Sequence, residues 1–340
     1  MSNKLNVGVI GCGYWGNHIL RNFNNSENWN LHSACDTDKN QLSKQKQLYP
    51  DTHFTQDADE LFDNPNIDAI AIATPVFSHF ELAKKTLESN KHAWVEKPLT
   101  ANYQEALALN KIAKDNNLCL NVDHTYIYTP SVQMIKEVID SGELGDPLYF
   151  DSVRINLGLF QHDINVVWDL APHDISILDY CIGKKPTSVS ASGASVIKYS
   201  KKELENIAYL NLNYNNDMIA HIHVNWLSPV KIRKIIIGGT KKMLVFDDMQ
   251  NSEKIRIYDS GVNINSKEDI YNSLVQYRIG DMYSPKIDNK EALKEEVDSF
   301  YNAIINKSDT ITSGQLGADV VNILESANKS MKNNSQLIQL

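Results

Sequence analysis

Hydrophobic and polar positions change rhythm near residue 130 of this 340-residue chain. Before that point, short apolar runs alternate with stretches of helical period. Leu5 to Ile10, Trp29 to Cys35, Ala69 to Ala73, His92 to Val95 and Leu118 to Val122 read as strands. Between them His18 to Phe23, Gln41 to Leu48, the stretch through Leu82, Ala83 and Leu87, and Tyr103 to Ala113 read as helices. Strands apolar along their whole length are buried on both faces, so this alternation predicts a doubly wound parallel sheet covered by helices. Past Pro130 a helix from Val132 to Ser141 stops at Gly142 and Gly145. Period-two alternation then takes over in Leu148 to Asn156, Thr187 to Ile197, Ile207 to Asn213, Met218 to Trp226, Ile232 to Ile237 and Met243 to Asp247. With hairpin-type turns at Tyr214 to Asp217 and Gly238 to Thr240, these predict a large, mostly antiparallel sheet. Helices at Ala292 to Ile305 and Leu316 to Met331 close the chain. The expected class is α/β: an N-terminal doubly wound parallel sheet and a C-terminal α+β domain. At about 150 residues per domain the length favours two, and the expected boundary gives 1–122 and 123–340.

Composition narrows the partners. The formal net charge is −9 with 42% apolar and 22% charged residues, a globular balance. No run of Lys and Arg is long enough to track a phosphate backbone, which argues against nucleic acid. Cys12, Cys35, Cys119 and Cys181 are widely spaced within or beside apolar runs, as buried thiols are, and no metal site is expected. The N-terminal apolar run is short and ends in glycines, and no stretch approaches 18 apolar residues, so the expectation is a cytoplasmic protein with no membrane partner.

The first strand feeds Gly11-Cys12-Gly13-Tyr14-Trp15-Gly16, a G-x-G-x-x-G turn opening a helix. Gly11 permits the tight turn, Gly13 lets backbone N–H groups approach a pyrophosphate, and Gly16 lets the helix pack close to the sheet. The second strand ends in Asp36, 20 residues beyond Gly16, where a carboxylate accepts hydrogen bonds from the adenosine ribose hydroxyls and repels a 2′-phosphate. NAD is therefore expected as cofactor. The competing reading makes Asp36 an ordinary turn residue. Ligands of such sheets bind beyond the carboxyl ends of the strands, which directs attention also to Thr74-Pro75, Glu96-Lys97-Pro98 and Asp123-His124.

Two clusters carry candidate chemistry. In Glu96-Lys97-Pro98 the proline restricts the lysine's backbone and raises the chance of a cis bond, a restraint that would aim the ammonium into the cleft; the alternative is a surface lysine before a helix-initiating proline. In Trp168-Asp169-Leu170-Ala171-Pro172-His173-Asp174, Pro172 suits the first turn of a helix running from Ile175 to Cys181. That placement puts Asp169 just before the helix and His173 in its opening turn, where the positive helix end favours neutral imidazole, a proton acceptor. Asp169 either orients that ring or caps the helix, and His173 has a purely structural alternative. His124, Tyr126, Arg154, Asn156 and Tyr277-Arg278 are candidate substrate contacts, with packing as the competing role.

Together, the glycine turn, Ala73-Thr74-Pro75 with His79, Glu96-Lys97-Pro98 and the Asp169-x-x-x-His173 spacing resemble the glucose-fructose oxidoreductase, inositol dehydrogenase and rhizopine-catabolism (Gfo/Idh/MocA) family over nearly the whole chain. The resemblance implies a Rossmann domain holding NAD through Gly11, Gly13, Tyr14, Trp15, Gly16, Asp36, Thr74, Pro75, His79, Glu96 and Lys97. It also implies a catalytic cluster of Lys97, Asp169 and His173, and a C-terminal sheet that mediates homodimer or homotetramer contacts. The chain departs from the family in having Leu170-Ala171-Pro172 where glycines are frequent before the histidine. Arg154 to Gly158, Trp168 to Ile177 and His221 to Trp226 resemble the nucleotide-sugar 3-dehydrogenases of polysaccharide biosynthesis, implying a substrate such as UDP-N-acetylglucosamine. A free-sugar or inositol dehydrogenase, an NAD-dependent glycosidase and a non-enzymatic sugar-responsive regulator are the alternatives.

Overall fold

The computed structural model describes residues 4–158, 160–198, 203–215, 218–263 and 276–340. Asn216 and Asp217 of the expected hairpin turn lie outside them. The chain divides into two compact units, Met1–Thr129 with Lys290–Asn322, and Pro130–Asn289 with Ile323–Leu340.

In the first unit the strands are β1 (Leu5–Ile10), β2 (Trp29–Cys35), β3 (His53–Thr55), β4 (Ala69–Ile72), β5 (His92–Glu96) and β6 (Leu120–Asp123). They form one sheet in the order β3-β2-β1-β4-β5-β6, every pair parallel. This is the doubly wound order, reversing between β1 and β4, where such sheets hold their ligands. The helices between strands are α1 (Tyr14–Asn25), α2 (Lys39–Leu48), α3 (Asp59–Phe62), α4 (His79–Glu88) and α5 (Tyr103–Asp115). The short β3 and α3 were not legible in the apolar pattern, being only three and four residues long.

Two features move the expected boundary. Ile127 and Tyr128, just past β6, are buried, and the Tyr128 hydroxyl lies 3.0 Å from Thr312 Oγ1. The helix α8 (Ala292–Asn306) packs its Leu293, Val297, Phe300 and Tyr301 into the same core as Phe23, Trp29 and Trp94. Phe300 stacks on Trp29 at 5.4 Å and meets Trp94 edge-on at 5.5 Å, while Trp29 Nε1 donates to Val297 O. The segment assigned by sequence to 123–340 is thus split, with 123–129 and 290–322 in the first unit. Phe300→Ala should destabilise this unit by about 3–5 kcal/mol, the usual cost of removing a buried aromatic ring. Denaturant unfolding would check it; a loss below about 1 kcal/mol would mean that α8 is not part of this core.

The second unit contains α6 (Pro130–Asp140), β7 (Pro147–Leu157), α7 (Val166–Ile182), β8 (Ser188–Ala194), β9 (Ile207–Tyr214), β10 (Met218–Asn225), β11 (Leu227–Gly239), β12 (Met243–Asp247), β13 (Ile255–Asn263), β14 (Gln276–Tyr283) and β15 (Ile338–Gln339). The sheet order is β14-β13-β12-β11-β7-β10-β9-β8-β15, antiparallel except for β7 beside β10. Ala208, Leu210, Leu212, Ala220, Ile222 and Val224 alternate inward and are buried, and α7 packs against β7, β9 and β10. The β13–β14 pair and β15 were not expected from the sequence. The remaining helix, α9 (Gly314–Lys332), runs through Asn322, the residue at which the units divide.

All four cysteines are buried free thiols. Burial, then neighbouring charges, pushes Cys12 and Cys119 up to about 12 and Cys35 up to about 11, so these thiols stay protonated and unreactive at neutral pH. Among the described residues no helix is long and apolar enough to cross a membrane.

Candidate functional site

The glycine turn shows why each of its glycines is there. Gly11 has φ +97°, and a Cβ on it would lie 2.5 Å from the Ala73 carbonyl oxygen at the end of β4. A Cβ on Gly16 would lie 2.0 Å from the Gly11 carbonyl oxygen. Gly13 is different: beyond its chain neighbours and its own helix, no atom of the described residues lies within 4 Å of where its Cβ would stand. The turn is closed on the protein side and open at the middle glycine. Helix α1 starts immediately after Gly13, with no side-chain cap and no acidic residue in its first turn, so its positive end is left to an outside anion. The helix begins at Tyr14, four residues before the expected His18, because the glycine turn itself forms its first turn.

Asp36 follows β2. Its Oδ2 accepts from the Cys12 N–H at 2.7 Å and its Oδ1 from the Asp38 N–H at 2.8 Å. The turn role and the ribose role are therefore compatible: a carboxylate has about four acceptor positions, and two remain. These residues fit a dinucleotide with pyrophosphate at the open Gly13 side and ribose at Asp36. Asp36→Ala should raise the NAD Kd about tenfold, the worth of one charge-assisted hydrogen bond at the low end of its range, and narrow the gap to NADP. Calorimetric titration with both nucleotides checks this, and tighter wild-type binding of NADP would contradict the ribose role.

At the neighbouring strand ends, Thr74 is half-buried and Pro75 exposed, with the Ser78 hydroxyl donating to Thr74 Oγ1 at 2.8 Å. The Lys97–Pro98 peptide is cis. His79, expected among the cofactor contacts, is 1% exposed, with Nδ1 2.9 Å from Pro98 O and Nε2 2.7 Å from Thr74 O. Both ring nitrogens face backbone carbonyls, so His79 ties the β4 end to the loop after Lys97 instead of reaching toward a ligand. Burial, opposed by those carbonyls, lowers its titration below the ordinary imidazole range.

Glu96 and Lys97 are half-buried at the end of β5. Burial and the adjacent Asp123 raise Glu96 well above the usual carboxylate range, against the pull of the Lys97 ammonium. His124 is fully buried, and neither ring nitrogen has a hydrogen-bond partner among the described residues. Burial first and Lys97 second push it down to about 3, so it is neutral at any working pH. Its burial removes it from direct substrate contact. Tyr126 is half-buried in the short turn Thr125–Tyr128.

The second unit carries Asp169 and His173 on α7, which starts nine residues earlier than the sequence suggested. Asn165 is the N-cap, its side chain accepting from the Trp168 N–H at 3.2 Å. Pro172 lies inside the helix and is not a first-turn residue. Asp169 is the fourth helical residue and His173 the eighth, one turn apart on one face. The helix-end argument for neutral His173 fails with this placement, because that field fades within the first turn. Asp169 Oδ2 accepts from the fully buried Trp226 Nε1 at 2.9 Å, an anchor that no sequence pattern suggested.

The expected substrate contacts fare differently. Arg154 is 5% exposed, its Nε 2.6 Å from Asp174 Oδ2, and Asp174 also accepts from the Ser152 hydroxyl at 2.7 Å. Its guanidinium is thus engaged in a buried ion pair joining β7 to α7, the structural role. Arg278 on β14 donates to Asp259 Oδ1 at 2.9 Å and to the Lys241 carbonyl, bracing the β13–β14 hairpin. Tyr277 beside it is exposed. Asn156 is half-buried, with its amide nitrogen beside Gly158.

Residues 5–124 match the oxidoreductase family with an NAD-binding Rossmann fold, and residues 132–245 the Gfo/Idh/MocA C-terminal domain. The chain is 24% identical over 259 residues to UDP-N-acetylglucosamine 3-dehydrogenase of Acidithiobacillus ferrooxidans, covering 75% of this chain and 76% of that protein. The solved structure of that enzyme superposes with TM-score 0.81 at 22% identity over 98% of this chain and all of its own. To scyllo-inositol 2-dehydrogenase (NAD(+)) of Bacillus subtilis (strain 168) the identity is 28% over 199 residues, 57% of this chain and 58% of that one. Levoglucosan dehydrogenase, solved with NADH and levoglucosan, superposes with TM-score 0.84 at 19% identity over 99% of both chains. The two family matches between them include the glycine turn, Lys97 and the helix of Asp169 and His173, and the chain belongs to the Gfo/Idh/MocA family as an NAD-binding, sugar-type oxidoreductase.

Proposed function

We propose that this enzyme oxidises a secondary hydroxyl, at C3, of a nucleotide-linked sugar such as UDP-N-acetylglucosamine to the 3-keto sugar, a step in polysaccharide or amino-sugar biosynthesis. The observation that carries the reaction is the placement of Asp169 and His173 one turn apart on α7, in a chain whose β5 ends in Glu96 with Lys97 directly after it. His173 takes the hydroxyl proton and Asp169 orients its ring. Lys97 stabilises the developing alkoxide, a role strengthened where water is excluded. NAD, when bound, supplies the hydride acceptor. Tyr126 and Asn156 remain as candidates for holding the sugar.

The nucleotide is supported by the relative that acts on UDP-N-acetylglucosamine, whose similarity extends over three quarters of this chain. Remote binding energy from a nucleotide would position the reacting carbon. A free-polyol substrate is the second reading, favoured by the similarity to scyllo-inositol 2-dehydrogenase. A regulator would need only the dinucleotide site, and the intact Lys97, Asp169 and His173 speak against it; a glycosidase would regenerate NAD at each turnover. The NAD-loaded enzyme titrated with UDP-N-acetylglucosamine, its uronate, free sugars and inositols, followed by NADH absorbance and product mass, separates these. A 3-keto nucleotide sugar with accumulating NADH is the expected result. Efficient oxidation of a free polyol with no advantage from the nucleotide would reject the substrate.

Homo-oligomerisation through the C-terminal sheet belongs to the same proposal. The sheet face away from α7 carries Tyr149, Val153, Ile155, Ile207, Tyr209 and Ile219, with Tyr209 41% and Ile219 50% exposed. Tyr209 stacks on His223 at 4.4 Å, and such an apolar face in water favours association. Ile219→Lys should convert a dimer or tetramer to smaller species in size-exclusion chromatography with light scattering. A wild-type monomer would overturn the interface.

A further inference from the structure

Beneath the glycine turn, three acidic side chains meet. Glu96 and Asp123 end neighbouring strands β5 and β6 and are register partners across that parallel pair. Glu296 comes from α8, on the face that also buries Leu293, Val297 and Phe300. Asp123 is 1% and Glu296 0% exposed. After burial itself, the charge of Asp123 raises both glutamates, as expected of carboxyls packed close together. Asp123 accepts from Trp15 Nε1 at 2.8 Å on Oδ2 and from the Thr125 hydroxyl on Oδ1. Trp15 is the second residue of α1, within the glycine turn.

Carboxyls buried close together oppose one another's ionisation. Glu296 is the most deeply buried of the three. Its Oε1 accepts from Asn121 Nδ2 at 3.1 Å, whereas its buried Oε2 meets no N–H or O–H donor among the described residues. Such an oxygen, with no donor side chain to stabilise a negative charge, favours the protonated carboxyl. Burial, and the charge of Asp123 after it, raise both glutamates well above their ordinary range. Each glutamate is thereby biased toward its protonated form, whose O–H can donate. Asp123 accepts from Trp15 and Thr125, which leaves about two of the four acceptor positions of a carboxylate for such donors.

We propose that Asp123 is a positioning residue for the dinucleotide: by accepting from Trp15 and Thr125 while standing opposite Glu96 in the β5–β6 register, it fastens the first turn of α1 to the strand ends beside Lys97. Trp15 is 36% exposed, and without this anchor its side chain would be free to turn. The backbone N–H groups of that turn are those that face a pyrophosphate, so anchoring them lowers the ordering cost of binding. The role depends on the dinucleotide and not on which sugar is oxidised.

Calorimetric titration with NAD alone reads it without turnover. Asp123→Asn and Trp15→Phe should each raise the NAD Kd about tenfold, and the double variant should bind about as each single one does, because both remove the same link. Trp15→Phe alters a surface side chain and keeps the fold; thermal melts check Asp123→Asn. Glu296→Leu should raise the Kd several-fold, and Glu296→Gln, whose amide donates where the acid O–H did, should restore it to within about twofold of wild type. Additive effects of Trp15→Phe and Asp123→Asn would overturn the link. A folded Asp123→Asn protein with wild-type affinity, or a Glu296→Gln protein as impaired as Glu296→Leu, would do the same.

Discussion

His173→Asn is expected to lower kcat by at least about 10²-fold with NAD affinity within about twofold of wild type, because the variant would lose the group proposed to take the substrate proton while leaving the proposed dinucleotide site intact. Asparagine keeps a polar side chain of similar reach but cannot accept a proton at neutral pH, so the loss should fall on kcat more than on KM. Lys97→Met should cost a comparable factor through the alkoxide it no longer stabilises. The double variant should fall well short of the product of the two, since residues serving one step are not additive. Asp169 is held by the Trp226 indole at 2.9 Å and shares a helix face with His173. Asp169→Asn should therefore do less than His173→Asn, disturbing the ring's orientation while leaving the base in place. Initial rates with the substrate identified by product mass give all of these. Turnover by His173→Asn at the wild-type rate would remove His173 from the reaction, and the base would have to be sought elsewhere.

What could be read from the sequence had a local physical signature. The parallel sheet was legible because strands buried on both faces are apolar throughout, and the glycine turn because its backbone requirement is met by residues a few positions apart. The start of α7 was missed for an equally local reason. Pro172 has the form of a first-turn residue, whereas the helix starts directly after Asn165, an N-cap residue followed by an apolar run. Long-range partners were not legible. Arg154 sits at an inward position of an alternating strand, and only the fold supplies Asp174 opposite it. The acidic residue at 296 did leave a trace: in helical spacing it falls between Leu293, Val297 and Phe300 on the face of α8 that is buried. A charge on such a face marks an internal partner, but nothing local identifies Asp123 as that partner. The β13–β14 hairpin escaped because exposed positions dominate its second strand, with Tyr277 and Ile279 at 80% and 90% exposure.

Gly13→Ala should separate folding from cofactor binding. Gly11 and Gly16 cannot report on this cleanly, because a Cβ at either collides with backbone carbonyl oxygen at 2.5 Å or 2.0 Å, and a lost fold would be indistinguishable from a lost site. Gly13 has φ −71° and ψ −156°, at the edge of the extended region, and beyond its chain neighbours and its own helix its Cβ would meet no atom of the described residues within 4 Å. The apo protein should therefore melt close to the wild-type temperature, the reduced freedom of the unfolded chain offsetting a small backbone cost. The methyl group would occupy the open side of the turn, ahead of the uncapped α1 N–H groups. Holding the pyrophosphate away from one or two charge-assisted hydrogen bonds should raise the NAD Kd by about 10²-fold. Melting curves of the apo protein and calorimetric titration with NAD measure the two quantities independently. Unchanged affinity would place the pyrophosphate somewhere other than the middle glycine, whatever the melting temperature.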